Sequence, residues 1–359
     1  MSHLSKKISM QQIADRLGMS KYTVSQALSG KSGVSVENRL RIQETARAMG
    51  YLIQGRAHGT NKESTVTDSA EMDQAASSKE VSPYILVWIQ AMYQQDNPFW
   101  GKVLAGIATA SSELGYEHLI VPVLKGHTDS LQIPPYLDPA CCAGHLLAGT
   151  FPSPSVISLK QTGIPLVLID HFEPLVDVDC VLNNNLDAGK MACQRLLAAG
   201  LKRLIFVGDD SFAVSFKERW WGCRLAIEDI AGPEETYSLR RWQVPYGQPQ
   251  LASYLERKVA AWTPDSMPEG IICANDHLAL DLIPILKGKG IDIPSQIKIV
   301  AFDNIEAAAY AQPPLSTIEL AKESLGIRAV ETLLYRRNHP GRQSEKIILS
   351  SRFIARDSG

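Results

Sequence analysis

From Tyr84 onward, short apolar runs alternate with segments of helical period. This alternation restricts the possible fold more than any other feature of the chain. The runs are Y-I-L-V-W-I (84–89), H-L-I-V-P-V (118–123), G-H-L-L-A (144–148), L-V-L-I-D (166–170), R-L-I-F-V-G (203–208), G-I-I-C-A (270–274) and I-K-I-V-A-F (297–302). Helical patterning lies between and beyond them at 99–114, 187–199, 217–230, 250–261, 277–289 and 322–338. Strands this uniformly apolar, separated by helices, predict parallel, doubly wound sheets covered on both faces. About 270 residues of this pattern exceed one sheet of usual size, so two α/β lobes are expected.

The first fifty residues follow a different rule. Ser9 and Gln12 have capping-box spacing; Ile13, Ala14 and Leu17 follow on one helical face, and Gly18 ends the helix. Ser20 can cap a second helix carrying Val24, Ala27 and Leu28. After the polar turn S-G-K-S-G, Ser35 can cap a third, with Ile42, Ala46 and Met49 at i, i+4 and i+7. Residues 1–53 are therefore expected to form a small all-α head. Residues 54–83 carry almost no large apolar side chains and read as a linker that cannot bury enough surface to fold.

Charge divides the chain in the same place. Residues 1–56 hold nine basic and three acidic side chains, while the other 303 hold 27 and 35. A cationic head on an anionic body points to a polyanionic partner or to a solvated charged surface. No apolar run approaches the roughly 18–20 residues that span a bilayer, and the N-terminus lacks an apolar signal core. The chain is thus expected in the cytoplasm, off the membrane, with its six cysteines reduced.

Signs of catalysis are sparse. GxSxG, GxxxxGK[ST], HExxH and zinc-type Cys/His spacings are absent, and the Gly288/Gly290 pair follows a helix rather than a strand. Asp170 and His171 are neighbours on a strand end, where adjacent side chains face opposite ways. No catalytic residue, metal or cofactor is expected, and the chain does not read as an enzyme.

Two helices joined by a tight turn at Gly18–Ser20, inside a basic three-helix unit, match the helix-turn-helix pattern, whose second helix can enter the major groove. With Val24, Ala27 and Leu28 inward, Lys21, Tyr22, Ser25 and Gln26 face outward. Lys can reach guanine or phosphate, Gln adenine, and Tyr a base edge or thymine methyl. Pattern alone leaves a solvated bundle face as the other reading.

The stretch M-Q-Q-I-A-D-R-L-G-M-S-K-Y-T-V-S-Q-A-L-S-G-K-S-G-V-S, followed by R-L-R-I-Q-E-T-A-R-A-M-G-Y, resembles the DNA-binding head of the lac repressor family. The body continues the resemblance in D-N-P-F-W-G-K-V-L-A-G-I, F-K-E-R-W-W-G, C-A-N-D-H-L-A-L, V-A-F-D-N and P-P-L-S-T-I. The resemblance implies a cytoplasmic transcriptional regulator, of repressor type, acting as a homodimer on a double-stranded DNA operator under control of a small effector. It places Lys21, Tyr22 and Gln26 at base-reading positions and Ser9, Ser20, Ser25 and Asn38 at phosphate-contacting ones. Gln26 stands where many members carry Arg or His, so adenine or a water-mediated contact replaces guanine.

For the body, 84–359, the resemblance extends to periplasmic sugar-binding proteins and implies effector binding between two lobes, with dimerisation. The lobes are expected at about 84–181 with 317–342, and about 182–316 with 343–359. Arg219, Asn275 and Asp303 match ligand-holding positions; Asp170 and Trp242 fall near others, and Asn97 to Trp100, including Phe99, near the first pocket loop. The residues themselves agree, since Asp170, Asn275 and Asp303 sit at or beyond strand C-termini, where open α/β sheets bind ligands. Arg, Asn and Asp suit vicinal hydroxyls, and Trp88, Phe99, Trp100, Trp220 and Trp242 could face a sugar ring. A carbohydrate effector is the first expectation and a purine the alternative; a sugar receptor with no DNA role is the third. The family inserts a leucine from a hinge helix into the minor groove. Here Thr60 takes its place, and Gly55 and Gly59 each weaken a helix by roughly 1 kcal/mol relative to Ala. No leucine wedge is expected, with Arg56 and His58 left to reach phosphate or groove.

Overall fold

The computed structural model describes residues 9–28, 35, 38, 41, 42, 45, 46, 82–93, 97–124, 131–230 and 236–359. The chain divides into two units, Met1–Ser77 and Ser78–Gly359.

In the first unit, helices Met10–Leu17 and Lys21–Leu28 are separated by a two-residue turn beyond Gly18. The Gln12 amide donates to Ser9 Oγ at 3.4 Å and the Ser9 amide to Gln12 Oε1 at 2.8 Å, the reciprocal pair of a capping box. Gly18 takes φ +64°, a region open to glycine at little cost, and its amide returns to the carbonyls of Ala14 and Asp15. Ser20 caps the second helix through the Thr23 amide at 3.0 Å. The Asn38 amide donates to Ser35 Oγ at 3.3 Å, as expected of a third cap. Ile13, Ala14, Val24, Ala27, Ile42 and Ala46 share one buried core. The side chains of Leu28 and Met49, and the stretch 54–81 with Gly55, Arg56, His58, Gly59 and Thr60, lie outside the described residues.

The second unit holds two six-stranded sheets. The first has the order β11-β5-β4-β3-β1-β2, from β1 (Tyr84–Gln90), β2 (Glu117–Val123), β3 (Cys142–Ala148), β4 (Leu166–Ile169), β5 (Asp179–Asn183) and β11 (Lys346–Leu349). It is parallel throughout. The second has the order β12-β10-β9-β8-β6-β7, from β6 (Arg203–Gly208), β7 (Ser238–Gln243), β8 (Gly270–Cys273), β9 (Lys298–Phe302), β10 (Ser316–Glu319) and β12 (Arg352–Ile354). Only its β10–β12 pair is antiparallel. Apolar strands buried on both faces form the core of each sheet, as the near-continuous runs require.

The expected lobe segments need two corrections. Residues 343–359 do not stay in one lobe: β11 pairs with β5 in the first sheet and β12 with β10 in the second. Residues 317–319 belong to β10, in the second sheet, rather than to the first lobe. The physical reason is that the chain crosses between sheets after β5, after β10 and after β11, and each crossing falls at a strand end. Helix Lys322–Asn338 follows β10 and packs on β3, β4 and β5, so the change of lobe comes just before Lys322.

Close helix packing fixes the second lobe. Helices Asn185–Ala198 and Val214–Ile230 touch backbone to backbone where Gly189 meets Arg219 and Gly222 meets Leu186. A Cβ on Gly222 would lie 2.0 Å from the Leu186 carbonyl oxygen, and one on Gly189 2.1 Å from that of Arg219. This contact sets Arg219 beside Asn185.

Candidate functional site

Three strands of the second unit end in polar residues. Asp170 follows β4, Asn275 lies two residues beyond β8, and Asp303 follows β9. Asp170 and Asp303 take positive φ, 55° and 105°. Such backbone costs roughly 1–3 kcal/mol for a non-glycine residue and persists only where neighbours enforce it. Here the Asp170 amide donates to the Val181 carbonyl at 2.9 Å and the Asp303 amide to that of Ile318 at 2.8 Å. The turns aim both carboxyls into one cleft.

Arg219 enters the cleft from helix Val214–Ile230 and is almost wholly buried. Its Nε donates to Asn185 Oδ1 at 3.0 Å, Nη1 to the Ala274 carbonyl at 2.6 Å, and Nη2 to Asp303 Oδ1 at 3.4 Å. Its guanidinium lies 4.8 Å from the Phe302 ring centroid and 5.6 Å from that of Phe216. A buried cation in this setting is held by one carboxylate, two neutral acceptors and two aromatic faces. Asn275 works in two directions. Its Oδ1 accepts the Leu278 amide at 3.0 Å, capping helix Asp276–Gly288, and its Nδ2 donates to the Tyr246 hydroxyl at 2.6 Å.

Aromatic rings wall the cavity. Tyr93 stacks on Trp100 with centroids 5.4 Å apart, and Phe99 meets Trp100 edge-on at 5.1 Å. Tyr246 meets Phe212 and Phe216 edge-on at 4.7 and 5.3 Å. Thr150, Ser215, Asp170, Arg219, Asn275 and Asp303 supply the polar groups between them. The cavity volume is about 90 Å³, several times the ~10–15 Å³ that one water needs.

Burial raises the Asp170 carboxyl to about 7; Glu218 and Asp303 add to the rise and Arg219 opposes it. Asp170 is half-buried as a residue, and its carboxyl end lines the partly open cleft. Behind the cavity, Asp276 accepts the Ile305 amide at 2.9 Å and the Thr317 hydroxyl at 2.6 Å, and the Lys322 ammonium donates to the Asp303 carbonyl. Burial lifts Asp276 to about 7 and lowers Lys322.

Phe99, Trp100, Asp170, Arg219, Asn275 and Asp303 thus meet in one cavity. Trp242 does not. It points away, with its ring 5.2 Å from Trp262 and the Lys258 ammonium over its face, because its place on β7 aims it at the layer covering the sheet. Trp88 is buried and donates to His145 Nδ1 at 3.2 Å, and Trp220 packs on Phe206. The Asn97 side chain lies outside the described residues. Sequence reasoning missed Tyr93, Asn185, Phe212, Phe216 and Tyr246. Tyr246 follows β7, a strand too charged in sequence to stand out, and Tyr93 follows β1 by three residues.

In the first unit, Lys21 and Tyr22 are exposed, Tyr22 at 72%, whereas Val24 and Ala27 are buried. Ser25, Gln26 and Asn38 are half-buried, and Ser9 and Ser20 lie exposed at the helix N-termini they cap. The second helix therefore turns a polar N-terminal face outward. Among the described residues, no helix is long and apolar enough to cross a membrane, and no group of three or more His, Cys, Asp or Glu side chains could hold a metal ion.

Residues 9–53 match the model of bacterial regulatory proteins of the lacI family, and 193–359 match that of the periplasmic binding protein-like domain. The ribose operon repressor of Haemophilus influenzae is 26% identical over 354 residues, covering 97% of this chain and 98% of its own. The lac repressor dimer bound to operator and an anti-inducer is similar in structure, with a TM-score of 0.65 and 16% identity over 98% of this chain and 99% of its own. A lacI-family regulator from Enterococcus faecium with bound ribose has a TM-score of 0.63 and 22% identity over 77% of this chain and 98% of its own.

Proposed function

Since the chain belongs to the lacI family of bacterial regulatory proteins, we propose that it is a transcriptional repressor whose hold on a DNA operator is set by a small polyhydroxylated ligand in the cleft. Lys21, Tyr22 and Gln26 read base edges in the major groove, and Ser9, Ser20, Ser25 and Asn38 contact phosphates. The donor and acceptor of the Gln26 amide suit adenine or a bridging water. Two copies of the chain bind two half-sites, because one head of this size offers little specificity and two linked heads multiply it.

The ligand is gripped by Asp170, Arg219, Asn275 and Asp303 through its hydroxyls, while Trp100 and Phe99 cover its apolar face. It acts only through its different affinity for two arrangements of the body. The observation that carries this reading is the convergence of Asp170, Arg219, Asn275 and Asp303 in an aromatic-walled cavity, on the chain whose second helix exposes Lys21 and Tyr22. The ribose that one relative's name and one neighbour's bound ligand specify supports a sugar.

Selection of bound duplexes from a random pool tests the DNA half. A two-fold related consensus is expected, and it should be lost in Lys21→Ala. Binding without any sequence preference would refute it.

A further inference from the structure

The chain passes between the two lobes three times, and the crossings lie side by side. Asn183, at the end of β5, accepts the Ala321 amide on its Oδ1 at 3.1 Å, which joins the first crossing to the second. Arg352, just beyond the third, donates to Glu319 at the end of β10. An open cavity of about 570 Å³, lined by Lys102, Glu319, Lys322, Ser324, Ser350 and Arg352, leaves these crossings room to bend. Lys322 is the first residue of helix Lys322–Asn338, which packs on the first sheet, and it is almost wholly buried. That placement is costly. Burial penalises the ammonium, a cation at a helix N-terminus opposes the helix dipole, and Lys102 adds like charge, with Asp303, Asp276 and Glu319 opposing it. In return the ammonium donates to the Asp303 carbonyl, which belongs to the second lobe. Asp303 and Asn304 both take positive φ, 105° and 46°, and such a turn persists only where neighbours hold it. From the second lobe, the Ile318 carbonyl accepts the Asp303 amide, Thr317 Oγ1 accepts the Asn304 amide at 3.2 Å, and Arg356 Nη2 donates to Asn304 Oδ1 at 2.7 Å. Lys322 holds the turn from the first lobe.

Resting on the ligand-sensing reading above, we infer that Lys322 is a positioning residue that ties the ligand-holding Asp303 turn to the first lobe and so carries the effect of a sugar in the cleft across the hinge. Lys322 directly follows the second crossing, so a swing of the lobes about Leu320 and Ala321 shifts its ammonium against the Asp303 carbonyl. Asp303 also pairs with Arg219 at 3.4 Å, so a ligand that moves this pair acts on the same turn from the cleft side. Removing the ammonium leaves no neighbouring carboxylate bare. Asp303 keeps Arg219, Asp276 keeps the Thr317 hydroxyl and the Ile305 amide, and Glu319 keeps Arg352 and Asn304. An apolar side chain of similar volume in place of a buried charge is often neutral or stabilising. Stability and signal therefore separate at this position.

Isothermal titration of the full chain with ribose, glucose, galactose and fructose identifies a sugar that binds the parent, and anisotropy of the duplex recovered by selection reads its effect on DNA. In Lys322→Met the melting midpoint without sugar should stay near the parent's, and the same sugar should still bind, weaker by about three- to tenfold. At saturating sugar, the change in DNA affinity should shrink from at least about fivefold to less than about twofold. Lys322→Arg, which keeps a charged donor, should restore most of the response. A full response in Lys322→Met at saturation would overturn the inference and leave the ligand-sensor reading standing. A response in Lys322→Arg no larger than in Lys322→Met would do the same. A Lys322→Met chain that does not fold, or melts well below the parent, assigns the lysine to the fold alone and also overturns the inference. A parent that binds none of the four sugars, or binds one with no change in DNA affinity, would sink the ligand-sensor reading and this inference with it.

Discussion

Replacing Asp170 by Asn should stabilise the protein at alkaline pH and do nothing for it in acid. The folded state holds the Asp170 carboxyl at about 7, against an ordinary 3.8. Ionising it in place therefore costs up to about 4 kcal/mol. The side chain opens on a cleft that admits water, so screening reduces the expected effect to about 1–2 kcal/mol. The sign follows from a folded-state value raised above the unfolded one. Below both values the carboxyl is protonated in either state, and the cost is absent. Between about 4 and 7 the unfolded chain ionises first, so stability falls as pH rises. Above about 7 the folded carboxyl is charged too, and the cost is complete. Asn carries no charge and tolerates the φ of 55° at this position, so the substitution adds little backbone strain. Asp276, raised in the same direction, is present in both proteins and cancels from the difference. Urea unfolding of parent and variant near pH 4 and pH 8 measures the effect. A variant that is equally stabilised at both pH values, or destabilised at pH 8, would refute the desolvation argument.

Three further outcomes are expected. Gly222→Ala should cost at least about 2–3 kcal/mol, because its Cβ would lie 2.0 Å from the Leu186 carbonyl oxygen, backbone that cannot step aside; thermal melting reads this, and an unchanged midpoint would contradict it. Arg219→Met should destabilise by about 3–5 kcal/mol, since it leaves the buried Asp303 carboxylate without its ion-pair partner, and should abolish ligand binding by titration. Tyr22→Ala should leave melting unchanged, as the side chain is 72% exposed, yet lower operator affinity by about 1–3 kcal/mol in a filter-binding assay.

The core strands were legible because an apolar run buried on both faces has a signature that side-chain type alone carries. All seven expected runs are strands, with ends shifted by two residues at most. The five strands left unread are short or half-polar. β7, S-L-R-R-W-Q, sits at a sheet edge with charged residues facing water, and β11 and β12 are four and three residues long. The carboxyls and the asparagine of the cleft could be anticipated because each lies at or beyond a visible strand end. Tyr246 and Tyr93 could not be, since they reach the cavity from loops whose path depends on tertiary packing. Trp242 shows the converse error: it has the chemistry of a sugar platform, but its strand turns it toward Trp262. Asn185 was hidden for another reason, as its role depends on a helix contact that Gly189 and Gly222 allow.

Occupancy of the cleft should change the grip of the head on DNA. Fluorescence anisotropy of a labelled duplex, recovered by selection and titrated with the full chain, addresses it directly. The titration is run with and without a saturating concentration of the sugar found by calorimetry. The DNA affinity is expected to change at least about fivefold, the lower end of ordinary allosteric coupling, and the response is expected to vanish in Arg219→Met. Identical isotherms with the sugar present and absent, from protein shown to bind both, would contradict it.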